Sequence, residues 1–162
     1  MTSFQLVSSM NIAFNNSKGD PHNIDWKRLS NLCKNIAGTS DELRGEAKEL
    51  QVALAAEDLA ATRDALCDIM VFALGAYHFM GLNADEDMQE VVRCVLTRFC
   101  KDEDHLIRTS MHYAQKGVVH YAEGTFPRVC LKSSFDQGDG EYPKGKFLKS
   151  LGYEQPIFKI PT

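Results

Sequence analysis

Two pairs of acidic residues are the part of this sequence best suited to chemistry. Glu46 and Glu49 are three positions apart, and Asp64 and Asp68 are four apart. On a helix, both spacings place the two side chains of a pair on one face. Four carboxylates brought together would repel one another, and a divalent cation would relieve that repulsion. Because Mg²⁺ and Mn²⁺ prefer oxygen ligands, these four residues are predicted to hold Mg²⁺ or Mn²⁺.

A plainer interpretation of the same residues stays open. Acidic residues at helical spacing usually form a solvated face, and here they could pair with Arg44, Lys48 or Arg63 in a non-catalytic helical interaction module. Asp68 argues against that interpretation. Nearly every position from 65 to 76 is apolar, so the helix that carries Asp68 has little solvent face left. A lone charge in such a setting needs a partner, and the metal site is therefore favoured.

The elements that would carry these pairs are helices with short connections. The spacing of apolar residues predicts a first helix that begins after its N-cap, Asp25, and a second that ends near Ala56. Either residues 39–42 form a capping box that opens the second helix, or the two are one bent helix. A third helix follows the connector Glu57-Asp58 and ends at Gly81. So short a connector makes the second and third helices antiparallel and brings the acidic faces together.

The rest of the sequence predicts two further helices and, after them, strand-like segments. The fourth helix follows Asn83, and the fifth is capped by Asp102 and ends near Gly117. Residues 118–121 and 128–131 are strand-like.

The predicted fold is all-α, a bundle of four to five helices with an extended or small β-hairpin C-terminal segment. Residues 1–24 could add a short amphipathic helix. A single domain over residues 1–162 is expected, with its helical core at about 25–117 and a C-terminal extension at 118–162.

Charge and composition exclude several functions. A net charge of -4 and a pI near 5.7 argue against binding polymeric nucleic acid, which favours a basic face. No apolar run approaches the ~20 residues of a membrane span, and the first residues lack the features of a signal peptide. A cytoplasmic protein without a membrane partner is therefore expected. Neither the five cysteines nor the histidines have the spacing of zinc ligands.

The pattern resembles the all-α nucleoside triphosphate pyrophosphohydrolases of the MazG type. It consists of E-x-x-E-L-x-x-A beginning at Glu46, a spacer, and an acidic pair that ends in Asp68 before an apolar run. The form D-A-L-C-D-I-M-V looks most like the phage-associated, MazZ-like branch that acts on deoxynucleotides, and residues 146–156 are similar to the tail of that branch. One departure is Ala65, where many members have glutamate; here the acid is Asp64, one position earlier.

The resemblance implies hydrolysis of a nucleoside triphosphate to the monophosphate and pyrophosphate, with dGTP or dATP as the favoured substrate. Glu46, Glu49, Asp64 and Asp68 would be the metal ligands, and Glu46 or Glu49 would be the catalytic base that activates water. Among enzymes, the competing interpretation is phosphoribosyl-ATP pyrophosphohydrolase, which shares the acidic motif. If the gene is phage-encoded, the protein would act in the host cytoplasm.

Cationic residues outside the acidic stretch are expected to bind the phosphates of the substrate. A departing pyrophosphate needs positive charge nearby, and the available residues are Arg98, Lys101, Lys146 and Lys149. The alternative is that these side chains are ordinary solvated charges. Tyr113 is a further substrate-binding candidate, since its ring could stack on a base.

The third predicted helix also indicates self-association. A helix that is hydrophobic nearly all round needs covering on more sides than two or three neighbouring helices provide. A dimer with a shared four-helix core would cover it, and the resemblance implies a dimer or tetramer.

Overall fold

A computed structural model describes residues 1–37 and 45–160, which form two compact units. The N-terminal unit comprises Met1–Asp87 and the residues from Lys159 onward, and the C-terminal unit comprises Met88–Phe158. The described residues contain six helices and one two-stranded antiparallel sheet. The predicted helical fold with a small C-terminal hairpin is confirmed. The single domain stays a prediction, because two compact units can still fold together.

Four helices build the N-terminal unit. They are α1 (Ser3–Ala13), α2 (Trp26–Ala37), α3 (Glu46–Ala55) and α4 (Leu59–Met80). The 22-residue helix α4 packs against each of the other three, and α2 also contacts α3. Helix α4 is therefore the element that positions the rest of this unit.

Local capping explains where these helices begin and end. Asp25 and Asp58 each accept backbone N–H hydrogen bonds in the first turn of α2 and α4, respectively. Gly81 follows the last residue of α4 in the left-handed conformation, with φ of 75°, which glycine adopts without a steric penalty. These predicted helix ends are confirmed. The predicted capping box at residues 39–42 lies outside the described residues.

A buried histidine ties α1 to α4. His78 has 0% of its surface exposed. Its Nε2 lies 3.0 Å from the carbonyl oxygen of Asn16, which can only accept, so Nε2 carries the proton. The Ser8 hydroxyl then donates to Nδ1 over 2.9 Å. Both ring nitrogens thus have a hydrogen-bond partner, which the burial of polar atoms requires.

Helix α5 (Ala84–Leu96) begins in the N-terminal unit and continues into the C-terminal unit, where α6 (Glu103–Gln115) follows. Strands β1 (His120–Thr125) and β2 (Arg128–Ser133) pair antiparallel, with His120 opposite Ser133. Helix α6 packs against both strands. The core of this unit consists of Tyr113, Val118, Leu131 and Leu148. The predicted N-cap of α6 is also confirmed, because Asp102 accepts the His105 backbone N–H at 2.8 Å.

Among the described residues, no single helix has both the length and the apolarity to span a bilayer. Helices α4 and α5 reach that standard of length and composition only when they are counted together as a bent pair.

Candidate metal centre

The first acidic pair lies in the opening turn of α3. Glu46 is the first residue of the helix, and Glu49 is in the same turn. Negative charge is favoured there because the first N–H groups of a helix have no partner within it. The preceding residue, Gly45, provides no side-chain cap, so these two carboxylates are the acidic groups at this helix end.

Gly45 fixes the backbone from which Glu46 projects. Its φ of +71° is unfavourable for other residues, and a Cβ at this position would lie 2.2 Å from the carbonyl oxygen of Asn35. Only glycine lets the start of α3 approach the end of α2 so closely. The position of Glu46 therefore depends on a contact with α2 as well as on α3 itself.

The second acidic pair lies in the first half of α4, which packs along α3. Because only three residues connect the two helices, they run antiparallel. Glu49 and Asp64 are exposed, whereas Glu46 and Asp68 are partly buried. Each pair thus has one outer and one inner carboxylate.

The surroundings of Glu46 disfavour its charged form. Its Oε2 is buried and has no hydrogen-bond partner among the described residues. Burial raises the pKa of Glu46 above its usual 4.5, and the charges of Glu49, Asp68 and Asp64 raise it further. Since all three charges act on Glu46, the structure brings the four predicted residues into one acidic cluster. A buried oxygen without a partner is destabilising, and a bound cation would provide that partner.

The side chains of the acidic cluster are not arranged as a complete coordination sphere. Within residues 1–37 and 45–160, no three acidic, histidine or cysteine side chains converge in a way that could hold a metal ion. Like charges favour separated side chains, and the exposed Glu49 and Asp64 have room to rotate. The all-oxygen donor set fits Mg²⁺ or Mn²⁺, provided that these outer carboxylates turn inwards.

In the single chain, Glu46 rather than Asp68 carries the buried carboxylate oxygen. Helix α4 is not covered on all sides, since Leu66 is 45% exposed and Met70 is 54% exposed, and Asp68 is itself only partly buried. Periodicity along α4 could not reveal the buried oxygen of Glu46, because Glu46 begins α3 directly after Gly45, which closely approaches α2.

Two of the three basic residues that a non-catalytic module would use, Lys48 and Arg63, do not pair with the acidic cluster in the described part of the chain. Both side chains are exposed. Arg44 lies outside the described residues.

In the C-terminal unit, four of the five predicted substrate-binding residues line one cavity of about 290 Å³. These residues are Arg98, Tyr113, Lys146 and Lys149. Lys101 does not line this cavity and is exposed. Lys116 does line it, but no sequence signal pointed to Lys116, because its place in the cavity depends on how the chain after β2 returns to α6. We call this space the basic cavity.

No curated protein and no solved structure matches the chain. Residues 16–94, a little under half of the chain, match the model of the PRA-PH family, described as phosphoribosyl-ATP pyrophosphohydrolase. This family is part of the all-α nucleoside triphosphate pyrophosphohydrolase superfamily, so the resemblance is confirmed at that level. The match gives no support to the phage-associated branch. The matched stretch contains the whole acidic cluster, and it indicates an activity of the nucleotide pyrophosphohydrolase type.

Proposed function

We propose that the protein is a metal-dependent nucleoside triphosphate pyrophosphohydrolase that releases a nucleoside monophosphate and pyrophosphate. The observation that carries the proposal is the buried Oε2 of Glu46, which has no hydrogen-bond partner among the described residues and lies near three other carboxylates. An interaction surface has no need of such an arrangement, whereas a cation site does. The match of residues 16–94 to a pyrophosphohydrolase family supports the same reaction class.

Each member of the acidic cluster has a proposed role. Glu46, Glu49, Asp64 and Asp68 would hold Mg²⁺ or Mn²⁺, which when bound neutralises phosphate charge and lowers the pKa of water. Glu46 or Glu49 would accept the proton of the attacking water. The one of the two that is not a metal ligand would be free to act as the base, and the exposure of Glu49 would allow it to pass a proton to solvent.

Two substrate classes follow from two observations. The D-A-L-C-D-I-M-V form of the second acidic pair favours a deoxynucleoside triphosphate, with dGTP and dATP first, in an enzyme of the phage-associated branch. The family match favours phosphoribosyl-ATP as the second candidate. Both substrates release pyrophosphate, so one assay compares them.

The test is pyrophosphate release from a panel of ribonucleoside and deoxynucleoside triphosphates and phosphoribosyl-ATP, with Mg²⁺ or Mn²⁺. Glu49→Gln and Asp68→Asn should each lower kcat by ~100-fold or more, as expected for loss of a base or a metal ligand. Glu57→Gln makes the same chemical change at an exposed residue beyond the other end of α3, and it should keep wild-type turnover. An active double variant of Glu49 and Asp68 would overturn the proposal.

The alternative, a non-catalytic helical module, makes a different prediction. Its acidic face would bind divalent ions only weakly, so Mn²⁺ would leave its thermal unfolding unchanged. A rise in Tm with Mn²⁺ that Ca²⁺ does not reproduce would support the metal site, because the two ions differ in preferred coordination geometry and ligand number.

We further propose that a second copy of the chain covers an apolar stripe on α4. Leu59, Leu66 and Met70 are 72%, 45% and 54% exposed, and their spacing places them on one helix face. Burying each of these side chains would contribute about 1.5–3 kcal/mol. Sedimentation should show a dimer or tetramer for the wild type and a smaller species for Met70→Lys. Ile107→Lys, at a 51% exposed residue of α6, should leave the mass unchanged, and a monomeric wild type at micromolar concentration would contradict the proposal.

A further inference from the structure

Arg98 is a cation that lines the basic cavity. It lies just after α5 and is partly buried, and its Nε is buried without a hydrogen-bond partner among the described residues. Its guanidinium carbon is 5.8 Å from the centre of the Phe147 ring and 5.3 Å from that of Tyr153. Aromatic rings favour a nearby cation, but they leave the charge in place. Because arginine stays protonated in proteins, an anion is the partner that would satisfy this group.

Three lysines line the same cavity. Lys116, Lys146 and Lys149 join Arg98 there, and the only carboxylate among the lining residues is Glu141. Within the described part of the chain, none of these lysines forms an ion pair. Four cations around a space of about 290 Å³ repel one another. A bound anion would relieve that repulsion, and the positive field would attract it.

The backbone that carries two of the lysines is held in place. Leu148 is 2% exposed, and its N–H donates to the Leu131 carbonyl at 2.9 Å, which ties the segment to β2. The Tyr113 hydroxyl donates to the Lys149 carbonyl over 3.0 Å. Lys146 and Lys149 therefore project from fixed positions on either side of a buried leucine. Such preorganisation reduces the entropy lost when a ligand binds.

Aromatic rings also hold the lysine side chains near the cavity. The Nζ of Lys146 lies 5.3 Å from the centre of the Tyr142 ring, and the Nζ of Lys149 lies 4.3 Å from that of Tyr153. Lys146 donates one hydrogen bond to the backbone carbonyl of Glu141. Since an ammonium group has three N–H donors, further donors remain for a ligand.

We propose that the basic cavity binds pyrophosphate directly, without a metal ion, and that Arg98 anchors it. A guanidinium can donate two parallel hydrogen bonds to phosphate oxygens, and the lysines contribute charge at positions fixed by the fold. The acidic cluster has the opposite charge and would bind pyrophosphate only through a cation. The proposal depends on the proposed function only for the choice of pyrophosphate over another oligoanion.

The test is calorimetric titration of the full chain with inorganic pyrophosphate in EDTA and about 0.15 M salt, which screens surface charges beyond about 8 Å. The wild type should bind, and Arg98→Gln should weaken binding on the order of tenfold or more, as expected for loss of a charged hydrogen-bond donor. Lys149→Gln should weaken binding as well. Because the Lys149 side chain is exposed, Lys149→Gln should fold normally. It therefore tests the proposal even if Arg98→Gln fails to fold.

Two control variants distinguish binding in the basic cavity from nonspecific electrostatic binding and from binding at the acidic cluster. Arg108→Gln removes one positive charge from the same unit, at an exposed residue that is paired with Asp104 over 3.0 Å and does not line the cavity. It should bind within about twofold of the wild type, since salt screens exposed charges. Glu46→Gln should bind pyrophosphate normally in EDTA. Absence of wild-type binding in EDTA, or equal losses in Arg98→Gln and Arg108→Gln, would overturn the proposal. Binding in EDTA without any metal-dependent hydrolysis would instead overturn the proposed function alone.

Discussion

Replacing Glu46 with glutamine should have opposite effects without and with metal. In metal-free protein, Glu46→Gln removes a charge that is opposed by burial and by three neighbouring carboxylates. The variant should therefore be at least as stable as the wild type. With Mn²⁺ the order should reverse, because the variant lacks the proposed ligand, whose Oε2 is buried without a partner among the described residues.

The size of the Mn²⁺ effect on Tm follows from the stabilisation that a bound ligand gives the native state. A ligand at ~100 times its Kd stabilises the native state by about 2.7 kcal/mol. For a chain of 162 residues, 1 kcal/mol corresponds to roughly 2–4 °C, so Mn²⁺ should raise the wild-type Tm by about 5–11 °C. If Glu46→Gln weakens binding ~100-fold, the same Mn²⁺ concentration stabilises it by only about 0.4 kcal/mol. Its Tm should then rise by no more than ~2 °C, measured by far-ultraviolet circular dichroism.

The pH dependence of the metal-free proteins gives an independent check. Because the folded-state pKa of Glu46 is raised above 4.5, the folded protein holds this proton more tightly than the unfolded chain. The stability that this proton contributes is fully present below 4.5 and is lost as the pH rises through the raised pKa. The stability advantage of Glu46→Gln in EDTA should therefore be largest at neutral pH and should shrink as the pH falls towards 4.5.

Two results would refute this reasoning. Equal Mn²⁺ shifts in the wild type and Glu46→Gln would show that Glu46 is not a ligand. A metal-free variant less stable than the wild type by more than ~1 kcal/mol at neutral pH would show that Oε2 has a partner that stabilises its charge. Glu57→Gln, the exposed control, should keep the full Mn²⁺ response.

Three further predictions follow from the N-terminal unit. Gly45→Ala should lose stability through its left-handed backbone and the clash with α2, and it should also lose the Mn²⁺ response. Gly81→Ala should lose stability by the same mechanism at the end of α4 but keep that response, and thermal scans with and without Mn²⁺ compare the two. Ser8→Ala leaves Nδ1 of the buried His78 without its partner, so urea unfolding should show a loss of about 1–3 kcal/mol. An unchanged free energy of unfolding in Ser8→Ala would show that water replaces the hydroxyl.

Helix ends were predictable from sequence because capping is local. Asp58 and Asp102 are acidic residues directly before helices, and Gly81 directly follows one, so each signal lies within a few residues of the boundary that it sets. The grouping of the four carboxylates was also predictable, since helical spacing and a short connector are sufficient for it. The sequence does contain a capping box for α1, formed by Thr2 and Gln5, but the packing of α1 against α4 is a contact between distant segments.

The ranking of the carboxylates and the full basic cavity were not predictable. Glu46 begins α3 directly after Gly45, whose close approach to Asn35 of α2 is a contact between distant segments. Lys116 joins Arg98 in the basic cavity because the chain after β2 returns to the end of α6. Both features depend on contacts between distant segments, which side-chain periodicity does not encode.

The central claim, metal-dependent release of pyrophosphate by attack on the α-phosphorus, is tested most directly by hydrolysis in ¹⁸O-labelled water. With Mn²⁺ and the best substrate of the panel, we predict equimolar monophosphate and pyrophosphate, with the label in the monophosphate and no turnover in EDTA. Label in the pyrophosphate, release of inorganic phosphate with a diphosphate product, or no turnover of any triphosphate or phosphoribosyl-ATP would contradict the account.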